Sequence, residues 1–259
     1  MALTFDFSNK HVFVAGGTSG INLGIADAFA RAGANVSVCS RDPVKIEAAK
    51  AQLGAHGVGA NGYQADVRKY DDVENALKQA HAQFGDIDVL VSGAAGNFVA
   101  PALGISSNGF KTVIDIDLMG TFHVMRAAHQ FLRKPGASLI NISADQALRG
   151  YVGQIHVCAA KAGIDQITRV LALEWAAEGI RVNSVMPGPI ADTEGMRRLA
   201  STPEAEAKLT SMVPLRRYGT KQEIANACMF LSSSLGEYIT GVVLPVDGGM
   251  AIAGTNNLG

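Results

Sequence analysis

The chain has 259 residues, a net charge of −1, and 48% hydrophobic against 17% charged residues. Such a length and balance suit an α/β chain with a sizeable core and exclude a disordered one. No basic run marks a nucleic-acid or anionic-membrane partner, and no window approaches the ~20 apolar residues that a bilayer span needs.

The opening Met1-Ala2-Leu3-Thr4-Phe5-Asp6 has neither the basic nor the apolar region of a secretory signal. From there, apolar runs of strand length alternate with stretches of helical period. Residues 11–15, 35–39, 87–92, 137–142, 180–185 and 242–246 read as buried strands, with one more short strand ahead of Asp66. Residues 25–32, 45–53, 71–84, 110–132, 159–177 and 222–231 read as helices. This alternation predicts a doubly wound parallel sheet with helices on both faces, a Rossmann fold of the α/β class. No linker, repeat or low-complexity tract divides the chain, so a single domain over residues 1–259 is expected. Residues 191–220 are long, irregular and rich in charge, and are expected to form a flap over the active site. Cys39, Cys158 and Cys228 lack metal-ligand spacing and read as reduced thiols, so no metal site is expected. The closing Asn256-Asn257-Leu258-Gly259 is not a peroxisomal tripeptide, and cytoplasm is the expected compartment.

The first strand runs into Gly16-Gly17-Thr18-Ser19-Gly20-Ile21-Asn22, followed by a helix beginning near Leu23. Glycines let a backbone turn sharply against a pyrophosphate, and the helix N-terminus then offers free N–H groups and a positive dipole end. Gly16, Thr18, Ser19, Gly20 and Ile21 are therefore candidate phosphate-binding residues. Asn22 stands where a further glycine is expected, and asparagine tolerates positive φ better than most residues. The second strand ends at Cys39-Ser40-Arg41. An acidic residue there accepts the ribose 2′-hydroxyl of NAD, whereas a hydroxyl and a guanidinium suit a 2′-phosphate, so Ser40 and Arg41 point to NADP(H). Asp66 and Val67 are expected beside the adenine.

The cradle, Ala94-Ala95-Gly96 after a strand, Lys161, Pro187-Gly188 and the terminal Val246-Asp247-Gly248-Gly249 resemble the short-chain dehydrogenase/reductase family over essentially the whole chain. The resemblance implies an NADP-dependent oxidoreductase, with Ala94, Ala95, Gly96, Lys161, Pro187, Gly188, Ile190 and Thr193 also at the cofactor. It also implies assembly as a homotetramer, with which the apolar runs at 241–246 and 251–253 are compatible. Most members reduce carbonyls with an Asn-Ser-Tyr-Lys set. Here Val157 stands four residues before Lys161, Ala144 takes the serine position with Ser143 displaced by one, and Asp117 takes the asparagine position. Valine has no proton to give to a forming alkoxide.

Ala94-Ala95-Gly96-Asn97-Phe98, Asp115-Ile116-Asp117, Gln154-Ile155-His156, Pro187-Gly188-Pro189-Ile190 and Thr193-Glu194-Gly195-Met196-Arg197-Arg198 look like the peroxisomal-type 2,4-dienoyl-CoA reductases, which share these losses. Ser92-Gly93 departs from that group, which commonly has Asn in the place of the serine. This resemblance implies hydride delivery to C5 of a 2,4-dienoyl-CoA and protonation of the dienolate at the α-carbon, giving a 3-enoyl-CoA. Asp117 and Lys161 would be the catalytic pair, orienting or protonating a water. An adjacent ammonium lowers the pKa of Asp117 while burial raises it. Arg68, Arg197 and Arg198 match positions that would contact the coenzyme A ester, and Phe98, Ser106, Ser107 and Asn108 match the acyl channel. Three alternatives stay open: a reductase of another carbonyl or enone, a non-catalytic NADP(H)-binding regulator, and acid catalysis by Tyr151 reaching in from its loop. His156, beside the vacant tyrosine position, reads either as a packed residue or as an alternative acid.

Overall fold

Seven short strands pair into one parallel sheet, the central ones rich in Val and Ile and buried on both faces, the edge strands half-buried. The computed structural model describes residues 4–200 and 202–253, so the opening three residues and the closing 254–259 lie outside the described residues. The strands are β1 (His11–Ala15), β2 (Asn35–Ser40), β3 (Ala60–Gln64), β4 (Val89–Ser92), β5 (Ser138–Ile142), β6 (Arg181–Pro187) and β7 (Val243–Val246). Their order is β3-β2-β1-β4-β5-β6-β7, every neighbouring pair parallel. The order reverses between β1 and β4, and the crevice at the carboxyl ends of these strands is where open α/β sheets take ligands.

Helices supply the crossovers: α1 (Gly20–Arg31), α2 (Pro43–Gly54), α3 (Tyr70–Phe84), α4 (Ser107–Val113), α5 (Gly120–Ala128), α6 (Ile155–Glu174), α7 (Glu194–Leu199), α8 (Pro203–Met212) and α9 (Lys221–Ser232). Local chemistry sets their starts. The Asp42 side chain accepts from the N–H groups of Val44 and Lys45 ahead of Pro43, and Thr220 forms a reciprocal capping box with Glu223. One apolar core on one face of the sheet gathers Val12, Val14, Ile25, Phe29 and Leu231; a second, on the other face, gathers Phe13, Leu77, Leu90, Met125 and Leu139.

Three expectations change. The helix over 110–132 is broken: between α4 and α5 runs a π-helical turn, Ile114–Met119, which contains Asp117. The i→i+5 spacing rotates that side chain relative to a regular helix, and such turns gather at functional sites. Residues 191–220 are not irregular, since α7 and α8 form there, capped by the Thr193 and Thr202 hydroxyls. The first helix starts at Gly20 rather than near Leu23, so Asn22 is helical; the left-handed residues are Gly16 (φ 73°) and Gly20 (φ 58°).

Candidate active site

The crevice at the switch point is a cavity of about 1080 Å³. Gly16, Thr18, Ser19, Gly20, Ile21, Ser40, Arg41, Asp66, Val67, Ala94, Ala95, Pro187, Gly188, Ile190 and Thr193, all candidates from the sequence, line it together. The cradle has the features a pyrophosphate needs. A Cβ on Gly16 would meet the Ala94 Cα at 2.9 Å, so only glycine lets the two turns close together. A Cβ on Gly20 would project into open space, and the Ser19 side chain does not cap α1, which leaves the first-turn N–H groups for an anion. Asn22 has a role that the sequence did not show: its Nδ2 donates to the Gly93 carbonyl at 2.7 Å, tying the cradle to the end of β4.

At the ribose end, Arg41 is joined by Lys45, a second cation in the wall that the sequence reading missed. Lys45 belongs to the first turn of α2, which Asp42 caps directly after Arg41, and that closeness in sequence is the signal that could have found it. Asp66 is held below the usual carboxylate range chiefly by hydrogen bonds from Arg68. Arg68 reaches Asp66 with both Nε and Nη2, so its guanidinium is engaged beside the cavity and does not line it.

Asp117 and Lys161 meet at the other end. Asp117 is 1% exposed; its Oδ1 accepts from the Gly96 N–H at 2.7 Å, and its Oδ2 stands 3.6 Å from Lys161 Nζ. Lys161 lines the cavity and donates to the Ile142 carbonyl at 3.1 Å. Burial raises the Asp117 pKa above the ordinary carboxylate range, against the opposing pull of Lys161, the Gly96 N–H and His156. Burial and the Lys161 ammonium pull in opposite directions, and burial, the larger effect, favours the protonated form. Val157 is buried on α6 one turn before Lys161, and Ala144 and Ser143 both line the cavity. Tyr151 also lines it, but its hydroxyl donates to Asp145; burial and that carboxyl push the phenol well above its usual pKa.

Gly96 and Asp117 stand behind the cavity wall, and the remaining expected residues also lie outside it. Phe98 is 40% exposed over His156, while Ser106, Ser107, Asn108 and Arg197 are exposed on the surface around α4 and α7. The Ser106 hydroxyl caps α4 by accepting the Gly109 N–H. The Arg198 side chain lies outside what is described. Met196 of α7 also lines the cavity, and Ala205, Lys208, Leu209 and Met212 of α8 add wall residues that the sequence did not single out. Among the described residues no group of three or more His, Cys, Asp or Glu is placed to hold a metal ion, and no helix is long and apolar enough to cross a membrane.

Known proteins carry the same plan. The family model described as enoyl-(acyl carrier protein) reductase matches residues 15–251. The peroxisomal 2,4-dienoyl-CoA reductase of Rattus norvegicus, the (3E)-enoyl-CoA-producing enzyme, is 44% identical over 254 residues, 97% of this chain and 87% of that protein. A short chain dehydrogenase from Bacillus anthracis superposes with a TM-score of 0.83 at 38% identity, covering 93% of this chain and 96% of that one. A blue fluorescent protein from a metagenomic library, solved in complex with NADPH, superposes with a TM-score of 0.88 at 32% identity, covering 95% of this chain and 99% of that one. The chain belongs to the short-chain dehydrogenase/reductase family and is an oxidoreductase built to bind a nicotinamide cofactor.

Proposed function

We propose that the protein is an NADPH-dependent reductase of 2,4-dienoyl-CoA thioesters, forming a 3-enoyl-CoA. The observation that carries the reading is the buried Asp117–Lys161 pair in a site where Val157 replaces the phenolic acid. A carbonyl reduction must protonate an alkoxide, and the site has no acid four residues before Lys161 to do so. A conjugated thioester needs its proton at carbon, which a buried carboxylic acid can supply. The relative from rat bears that activity in its name.

Gly16, Thr18, Ser19, Gly20 and Ile21 would hold the pyrophosphate, Ser40 and Arg41 with Lys45 the 2′-phosphate, Asp66 and Val67 the adenine, and Ala94, Ala95, Gly96, Lys161, Pro187, Gly188, Ile190 and Thr193 the nicotinamide half. Bound there, the reduced nicotinamide supplies hydride to C5 of the dienoyl chain. Negative charge then moves through the conjugated system to the thioester oxygen. The Lys161 ammonium, held by the Ile142 carbonyl, stabilises that charge at short range. Asp117, whose protonated form burial favours, would give its proton through a water to the α-carbon. Arg68 and Arg197 are assigned to the coenzyme A phosphates, and Phe98 with Ser106, Ser107 and Asn108 to the acyl chain, with α7 and α8 as the flap of a single-domain protein. We assign the active form as a homotetramer, supported by apolar side chains exposed on α5 and α6, and the compartment as cytoplasm, supported by three free thiols.

The test is NADPH oxidation with a 2,4-dienoyl-CoA beside a panel of ketones, enones and saturated acyl thioesters. Turnover confined to the dienoyl ester supports the reading; comparable rates with ketones would refute it.

A further inference from the structure

The catalytic pair leaves two polar groups beside it without partners. His156 is 0% exposed, its ring centroid 4.4 Å from that of Phe98 and inclined at 55°, and neither of its ring nitrogens has a hydrogen-bond partner. Asp117 Oδ2 is likewise buried without a hydrogen bond, facing only the Lys161 ammonium at 3.6 Å. Burying a polar atom without a hydrogen bond is costly. A phenylalanine would fill the space beneath Phe98 without that cost, so packing alone does not account for an imidazole here.

The surroundings of the ring say more. The Phe98 main-chain carbonyl faces it, outside hydrogen-bond geometry, and the Asp117 carboxyl is near enough for the charge of each group to act on the other. Burial pulls the imidazole below its ordinary pKa, which favours the neutral ring with one donor and one acceptor nitrogen. The carbonyl draws the donor to its side without bonding it, which leaves an acceptor nitrogen for a hydrogen from elsewhere. Gly96 already occupies Asp117 Oδ1, so the proton of the acid belongs on Oδ2, the other unsatisfied atom.

We propose that His156 is a positioning residue, and that its acceptor nitrogen and Asp117 Oδ2 together hold the water that carries the proton to the α-carbon. The inference rests on the dienoyl-CoA reading. In the step, Asp117 Oδ2 releases its proton to the water as the water passes one to the α-carbon. The dienolate's π pair between the thioester carbon and the α-carbon becomes the new C–H bond, the thioester carbonyl re-forms and the β,γ double bond is kept. The carboxylate left behind faces Lys161 until solvent restores its proton. His156 neither gains nor loses a proton; it fixes the water above the acid.

His156→Phe keeps an aromatic ring against Phe98 but holds no water, whereas His156→Gln keeps a polar acceptor but loses the ring. The expected pattern is a kcat for His156→Phe lower by roughly 10- to 100-fold, with the NADPH KM within about twofold, and partial recovery in His156→Gln. The solvent deuterium isotope effect on kcat should rise in His156→Phe. The opposite order, full activity in the phenylalanine variant and loss in the glutamine variant, would overturn the proposal. A readout free of substrate runs beside it: the imidazole nitrogen resonances of His156, identified by their loss in His156→Phe. They should show one neutral tautomer at neutral pH and shift in Asp117→Asn; no shift would equally overturn it. If the wild-type enzyme turns over no dienoyl ester while that coupling is present, the substrate reading fails and the His156 placement stands.

Discussion

Lys161 Nζ donates to the Ile142 carbonyl at 3.1 Å while standing 3.6 Å from Asp117 Oδ2, so a strand end and a π-helical turn converge on one ammonium. The pair is held from both sides, because Asp117 is itself pinned by the Gly96 N–H. Removing either partner therefore leaves the other buried and unpaired. Asp117→Ala should lower kcat by roughly 100- to 10,000-fold, the range of general acid catalysis, with NADPH affinity nearly unchanged. Lys161→Ala should weaken both, since Lys161 lines the cofactor cavity. Steady-state rates with cofactor titration by fluorescence separate the two.

The burial of Asp117 also sets a pH dependence. Its folded pKa is raised above the unfolded value, chiefly by desolvation, so the folded state keeps the proton to higher pH than the unfolded chain does. The stability linked to that proton is complete below the unfolded carboxylate pKa and is lost as pH rises through the folded one. Asp117→Asn cannot ionise, so its melting temperature should gain on the wild type across that window and match it most closely in acid. Turnover should fall over the same rise, as the acid form disappears. Parallel melting curves of the two proteins across the range would show that Asp117 ionises freely and would remove the carboxylic acid from the mechanism.

Much of this was legible in the residues. Gly16 and Gly20 announced a cradle because left-handed turns need glycine, and Val157 announced an absence because its spacing from Lys161 is helical. What stayed hidden depends on tertiary contact. The π-helical turn at Ile114–Met119 leaves no mark in apolar periodicity, and nothing near Asn22 in sequence reveals Gly93 as its partner. Capping threonines at 193 and 202 were there to be read, yet the charge between them outweighed them and the segment was expected to be irregular. Balanced effects were beyond reach too: whether burial or Lys161 governs Asp117 depends on an exposure that only the fold defines.

Cofactor preference is tested at Arg41. Its guanidinium and Lys45 share the end of the cavity beyond Ser40, and the Asp42 carboxylate that follows is taken up in capping α2. A charge-assisted hydrogen bond is worth about 1.5–3 kcal/mol, so Arg41→Ala should reduce kcat/KM for NADPH by roughly 10- to 100-fold. Activity with NADH should change little. Adding Lys45→Ala should bring the two cofactors close to parity. A variant equally impaired with both would show that Arg41 supports the fold instead of reading the phosphate.

Asn22 tests the join between the cradle and β4. Its Nδ2 donates to Gly93 at 2.7 Å, and a Cβ on Gly93 would meet Asn22 Oδ1 at 2.2 Å, so the two positions fit only as this pair. Asn22→Ala leaves the Gly93 carbonyl without that donor, at a cost of about 1 kcal/mol, or about 2–4 °C in melting temperature for a chain of this size. The cofactor KM should rise by more than that loss implies, because the cradle and the Ala94 turn pack against each other in the cavity wall. Gly93→Ala should be the more severe of the two in both measurements.

Assembly is tested on the helices that carry the catalytic pair. Met119 and Phe122 are 38% and 41% exposed at the π-helical turn and on α5, and Val170 and Leu173 are 40% and 81% exposed on α6. Apolar exposure repeated along two adjoining helices marks a contact surface more than chance does. These helices also hold Asp117 and Lys161, so covering them with a second copy would stiffen the catalytic geometry from behind. Val170→Glu with Leu173→Glu should shift the mass measured by light scattering from tetramer toward smaller species. Because the helices lose their support, kcat should fall together with the loss of mass, and both should recover at high protein concentration. A wild-type protein that is monomeric at working concentrations, with full activity, would place these side chains at an ordinary solvent face.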